Sequence, residues 1–161
     1  MFLPVMLVSA APPGRAVSAT APFDRICEVR STPRETGNAT HWRSEYLLAF
    51  TSSDPAFGGV EQVVFEPGCN GFPAASPCVL RVRHVPSATM NSLGSCEADG
   101  MDSPDYWEGT TTQSPGTSVH NRARNVMKGF GEFRGLEFRG EVIFTDGVGQ
   151  LIGWIIETGG Y

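Results

Sequence analysis

The dipeptide Asp146-Gly147, set between two alternating apolar runs, constrains this chain more than any other feature. Asp and Gly both tolerate positive φ, and a two-residue type I′ hairpin turn demands positive φ at both central positions. Around it, Val126 to Glu157 (VMKGFGEFRGLEFRGEVIFTDGVGQLIGWIIE) reads as three period-two segments joined by two short Gly-containing turns. Such a pattern predicts a three-stranded antiparallel meander.

Anchoring the register at Asp146-Gly147 places Phe144 opposite Gly149, Val142 opposite Leu151, Gly140 opposite Gly153, Phe138 opposite Ile155 and Leu136 opposite Glu157 on one face. The other face pairs Ile143 with Gln150, Glu141 with Ile152, Arg139 with Trp154 and Glu137 with Ile156, and Arg139 beside Trp154 suits a cation–π contact. If Arg134-Gly135 is a second two-residue turn, Phe133 meets Leu136, Gly131 meets Phe138, Gly129 meets Gly140 and Met127 meets Val142. That register also sets Glu132 against Glu137, a like-charge pair that opposes it.

The same register lines up Gly129, Gly140 and Gly153 across three strands. Glycine inside a strand gives up packing, so a row of them marks either a sharply coiled barrel corner or the floor of a ligand pocket. Apolar residues occupy both faces, and the second face (Phe130, Ile143, Ile152, Trp154, Ile156) calls for a cover: the N-terminal segment, a helix, or a second copy of the chain.

The rest of the chain agrees with an all-β reading. Of 161 residues, 19 are Gly and 12 Pro, and charged residues make up only 18%, a loop-rich balance that argues against a helical bundle. A net charge of −5 without any basic cluster excludes nucleic acid as a partner class. Further strands are expected near Ile26–Arg30, His41–Phe50, Val60–Glu66 and Cys78–Val85, where Cys78, Leu80, Val82 and His84 share one side. Met90 to Val119 is poor in β-formers and either hides a short strand near Tyr106–Thr110 or forms a functional loop.

The opening MFLPVMLVSAAPPGRAVSA resembles a secretory signal peptide that lacks its basic start, with Val17-Ser18-Ala19 suited to signal peptidase. The expected organisation is a leader over 1–19 and a single β-barrel domain over 20–161, secreted or periplasmic, with no membrane span. Four cysteines (Cys27, Cys69, Cys78, Cys96) in an exported chain predict two disulfides, with three pairings open. The turn-rich loop NGFPAASP between Cys69 and Cys78 favours Cys69–Cys78 with Cys27–Cys96.

Chemistry-bearing motifs are sparse. Asp99, Asp102 and Asp105 lie in an acidic loop that could offer oxygen ligands to Ca²⁺, but the spacing fits no EF-hand and a solvated acidic loop is the better reading. His41, His84 and His120 are too scattered to argue a metal site. No nucleophile elbow or phosphate loop is present, and no cofactor is expected. Glu157, at the end of the glycine-row face, and Tyr46 are the acid–base candidates.

The run GFGEFRGLEFRGEVIF followed by GQLIGWIIE resembles the closing strands of the allene oxide cyclase-like and dirigent-like barrels, members of the calycin type, through Gly129, Gly131, Phe133, Gly135, Leu136, Gly140 and Phe144. Phe138 stands where that pattern often has Gly. The resemblance covers about the last quarter of the chain and implies a closed antiparallel barrel of about eight strands with an apolar interior. Those families include cyclases and stereochemical guides, and no catalytic motif of theirs carries over.

Three functions follow as expectations. The first is an exported barrel holding a small apolar or amphipathic molecule against Met127, Gly129, Phe133, Phe138, Gly140, Val142, Leu151, Gly153 and Ile155. The second is a cyclase or isomerase in the same barrel. The third is a non-catalytic exported structural or interaction protein that associates, with itself or another chain, through Phe130, Ile152, Trp154 and Ile156.

Overall fold

The computed structural model describes residues 14–36, 39–65, 78–92, 96–114 and 120–159. Eleven strands follow in order: β1 (Gly14–Ala21), β2 (Ile26–Thr36), β3 (Ala39–Ser52), β4 (Gly59–Phe65), β5 (Cys78–Val85), β6 (Thr89–Ser92), β7 (Glu97–Asp99), β8 (Tyr106–Gln113), β9 (His120–Phe130), β10 (Leu136–Thr145) and β11 (Val148–Glu157). No α-helix occurs among the described residues. The main sheet runs β1-β11-β10-β9-β8-β5-β4-β3-β2, and β1 also pairs with β3. That second pairing closes an antiparallel barrel of eight strands with β2 outside the ring.

Closure depends on β1 pairing with two strands. β1 runs along β11 from Gly14↔Ile156 to Ala21↔Gly149, and its end reaches β3 at Ala19↔Ser52 and Thr20↔Thr51. A 3-10 turn at Phe23–Arg25 follows, and β2 continues along the same edge of β3. Val17, Ala19 and Ala21 point into the core. The expected leader boundary at Ala19 therefore falls inside a strand of the ring.

The hairpin β10–β11 has the register that Asp146-Gly147 dictates, from Phe144↔Gly149 to Leu136↔Glu157, with φ of 51° at Asp146 and 79° at Gly147. Arg139 faces Trp154 as expected, but its guanidinium turns along its own strand to the Glu137 carboxylate.

The β9–β10 register differs from the expectation. Gly140 lies opposite Asn125 instead of Gly129, and Phe138 opposite Met127, a slip of four residues. The connection is not a two-residue turn: the chain leaves β9 at Phe130, makes a 3-10 turn at Gly131–Phe133, then turns again at Arg134-Gly135. Asp105, just before β8, sets this path by accepting the Glu132 N–H at 2.8 Å. Its carboxylate oxygen occupies the space a Cβ on Gly131 would need. An even slip keeps every side chain on its expected face. Glu137 now meets Lys128, which removes the like-charge clash, and the three-glycine row shrinks to Gly140 and Gly153.

One end of the barrel is filled with aromatic rings. In the β3–β4 connection Asp54 accepts the Ala56 N–H at 3.0 Å and Phe57 N–H reaches Asp54 O at 3.0 Å, a tight turn that tips Phe57 inward. Fully buried Phe57 lies 4.4 Å from the Phe138 ring, 5.0 Å from His84 and 5.1 Å from Trp107, centroid to centroid. Trp107 stacks on Phe133 and donates its indole N–H to Ala56 O at 3.0 Å. Buried aromatics with satisfied polar handles make a dense plug.

A second apolar cluster lies on the outer surface, where Leu47, Val60, Val85, Ala88 and Met90 are buried. The stretch expected either to hide a short strand or to form a loop supplies part of this cover: β6 and β7 form a hairpin, and the strand expected near Tyr106–Thr110 is the start of β8. A disulfide between Cys27 and Cys96, with Cα atoms 5.5 Å apart, links β2 to this hairpin. The companion pairing Cys69–Cys78 involves Cys69, which lies outside the described residues. The outer face of the meander stays open among the described residues, with Trp154 55%, Ile152 46% and Phe130 40% exposed.

Candidate functional site

Away from the aromatic plug, the barrel interior holds a cavity of about 290 Å³. It lies toward the end where the 3-10 turn after β1 and the Asp146-Gly147 turn meet, with the Phe23 ring packed over Gly147. Its walls come from inward positions of consecutive strands: Tyr46 and Leu48 on β3, Glu61 and Val63 on β4, Leu80 on β5, Thr111 and Gln113 on β8, Ala123 on β9, Val142 and Phe144 on β10. Ile26 completes the lining beside Phe23. Most of this surface is apolar, and the polar groups are few, the usual constitution of a small-molecule site.

Each polar group stands at a strand position that alternation turns inward. β4 sends Glu61 and Val63 to the interior, β5 sends Leu80, Val82 and His84, and the two strands pair Glu61 directly with His84. Both side chains are essentially inaccessible, at 2% and 0% exposure. Glu61 faces the cavity, and His84 sits behind it against the Phe57 ring.

The hydrogen bonds around His84 say how the pair is held. Its Nε2–H donates to Gly58 O at 2.8 Å, which leaves Nδ1 facing Glu61 Oε2 at 3.5 Å. Neither of those two atoms has another partner. Two bare lone pairs facing each other in an apolar interior would repel and both stay unsatisfied, so the arrangement accommodates one proton between them. The next residue, Gly59, has φ of +93°, and a Cβ there would strike the Pro86 carbonyl oxygen at 2.6 Å. Glycine at 59 thus lets the chain pass close enough for Gly58 to reach the imidazole.

A second polar row crosses the wall. Leu80, Thr111, Asn125, Gly140 and Gly153 are successive cross-strand neighbours. Thr111 Oγ1 and both amide atoms of Asn125 are buried without a hydrogen-bond partner. Unsatisfied buried polar atoms are rare in folded proteins.

Of the interior residues expected from sequence, Val142 lines this cavity. Met127, Phe133, Phe138, Leu151 and Ile155 are buried in the core with it. Gly140 and Gly153 lie under the Phe138 ring, and Gly129 lies under Phe133. Tyr46 lines the cavity, half-buried, whereas Glu157 is exposed at the opposite end of the barrel opposite Leu136. Asp99 ends β7, Asp102 lies in the following turn and Asp105 holds the Glu132 amide. No group of carboxylates, histidines or cysteines fit to hold a metal occurs among the described residues, and the side chains of His41 and His120 lie outside them.

Sequence reasoning missed Glu61. The signal was present in His84, which alternation placed on the apolar side of β5 with Leu80 and Val82. A polar residue on an inward face asks for a partner on the neighbouring strand, and the register of β4 supplies Glu61.

No family model, curated protein or solved structure matches this chain.

Proposed function

We propose that this chain is an exported β-barrel protein that binds a small amphipathic molecule inside the ring. The observation that carries the reading is the cavity of about 290 Å³, whose apolar walls converge on Glu61, Thr111, Gln113 and Tyr46. An apolar body fits against Leu48, Val63, Leu80 and Val142, and a hydrogen-bonding head reaches the carboxyl, hydroxyl and amide groups. Export is supported by the Cys27–Cys96 disulfide, which persists in oxidising compartments. No helix among the described residues is long and apolar enough to cross a membrane.

A thermal-shift and native mass-spectrometric screen of small amphipathic molecules tests the reading. A true ligand at about 100 times its Kd raises stability by about 2.7 kcal/mol. Ala123→Leu, which adds bulk to the cavity wall, is expected to abolish that rise while the apo protein still unfolds cooperatively. A screen without binders, or a rise that survives Ala123→Leu, overturns the assignment.

A second reading is favoured by the exposed apolar strip Phe130, Ile152 and Trp154 with Ile156 at its end: association through this face, with a second copy of the chain as the simplest partner. Multi-angle light scattering checks it, because Trp154→Glu should convert an oligomer to a monomer, and a wild-type monomer at high concentration removes it.

A further inference from the structure

We infer that Glu61 and His84 form a proton-transfer dyad, so that the bound molecule is a substrate and the reaction class is a proton-shift isomerisation or elimination. This rests on the proposed binding cavity and goes beyond it. Glu61 is the catalytic residue, because its side chain forms part of the cavity wall; His84 is a positioning residue, because it meets only the far side of Glu61.

Placement is what equips the pair. Glu61 shares the cavity wall with Leu48, Val63 and Leu80, so a molecule bound there meets its carboxyl group directly. His84, fixed by Gly58 O on one side and by the Phe57 ring on its face, presents Nδ1 toward Oε2 and nothing else. In the forward step a carboxylate oxygen of Glu61 takes a proton from an acidic C–H of the bound molecule. The C–H electron pair moves into the ligand's π system or expels a leaving atom within the same molecule. The proton then returns from the carboxyl to another ligand atom or leaves to water. Atoms and electrons balance without oxidant, reductant or co-reactant. Thr111 Oγ1, buried and unpartnered on the same wall, is placed to donate to the oxygen on which negative charge gathers.

The substrate class is accordingly a small apolar molecule bearing one carbonyl or comparable electron-withdrawing head beside an acidic C–H. A nitro-substituted benzisoxazole is a suitable probe, since removal of its ring C–H proton breaks the N–O bond and releases a coloured phenolate. The unreactive nitrobenzotriazole reports binding alone. Wild-type protein is expected to bind the triazole and to turn the benzisoxazole over. Glu61→Gln is expected to lose roughly 100-fold or more in turnover, compared with wild type at benzisoxazole concentrations scaled to the triazole affinity of each protein. His84→Gln is expected to shift the pH profile of turnover. Triazole binding with turnover equal in wild type and Glu61→Gln overturns the dyad and leaves the cavity reading intact. Absence of triazole binding, with the amphipathic screen also empty, overturns the cavity and the dyad together.

A second measurement needs no ligand. Nitrogen-15 NMR of the full chain is expected to show His84 Nδ1 protonated or hydrogen-bonded at neutral pH, changing in Glu61→Gln. A bare Nδ1, unaffected by Glu61→Gln, overturns the shared proton.

Discussion

Gly140 and Gly153 stand directly opposite each other on β10 and β11, and the Phe138 ring lies across both. A Cβ on Gly140 would come within 2.6 Å of Phe138 Cζ, and one on Gly153 within 2.7 Å of Phe138 Cε2. The two glycines therefore make room for an aromatic ring of the plug, and neither lines the interior cavity. Gly140→Ala and Gly153→Ala should each destabilise the protein by about 1–3 kcal/mol through overpacking, read as a lower urea midpoint at unchanged slope.

Removing the segment up to Ala19 should open the ring. β1 supplies the pairing to β11 and the seam to β3, and its Val17 and Ala19 are 4% exposed. A chain starting at Thr20 would leave long edges on β3 and β11. It is expected to lose cooperative unfolding and to aggregate, whereas a chain starting at Gly14, with β1 whole, is expected to unfold cooperatively and stay unaggregated. Circular dichroism melts of the two truncations decide it.

Arg15 on β1 binds Asp54 at 2.7 Å and so ties the ring to the turn that carries Phe57. Burial pushes the Asp54 carboxyl up, but hydrogen bonds from Arg15 and the Ala56 N–H, together with the Arg15 charge, outweigh it and hold the pKa below the ordinary aspartate value. A folded-state pKa below the unfolded one adds stability that is complete above the unfolded value, about 3.9, and is lost as pH falls through the folded value. Asp54→Asn should cost roughly 1 kcal/mol or less at pH 7, since Arg15 is largely exposed, and the gap to wild type should close in acid. Urea melts at neutral pH and at steps below pH 4 test the sign. A gap that widens in acid would contradict it.

The Cys27–Cys96 bridge spans 69 residues and holds the β6–β7 hairpin over the outer cluster. Cys27→Ser with Cys96→Ser should cost about 2–4 kcal/mol. Limited proteolysis should then cut first between Thr89 and Asp99, with the barrel core still protected.

The sequence reading succeeded where structure is set locally. Asp146-Gly147 carries its own turn chemistry, so the pairing of β10 with β11 was legible residue by residue. Arg134-Gly135 misled because the path through Gly131 is held by Asp105, 27 residues before Glu132, and no local pattern reports such a cap. The same limit hid the division of the interior. Phe57, which fills one end, comes from a connection without periodicity, so alternation could name inward residues and not say which of them surround empty space. Small residues can be read two ways: Val17 and Ala19, suited to a peptidase site, are also the size that fits inside the ring, where Val17 lies beside Gly153.

The seam between β1 and β3 consists of two residue pairs, against eight between β1 and β11 and ten between β10 and β11. Fewest backbone bonds must break there for the wall to part, and the adjoining turn carries Phe23, with Ile26 just beyond it, both in contact with the interior space. That short join is the seam of the ring held by the fewest residue pairs, so the amides of Thr20 and Thr51 are expected to exchange with heavy water before those along the longer seams.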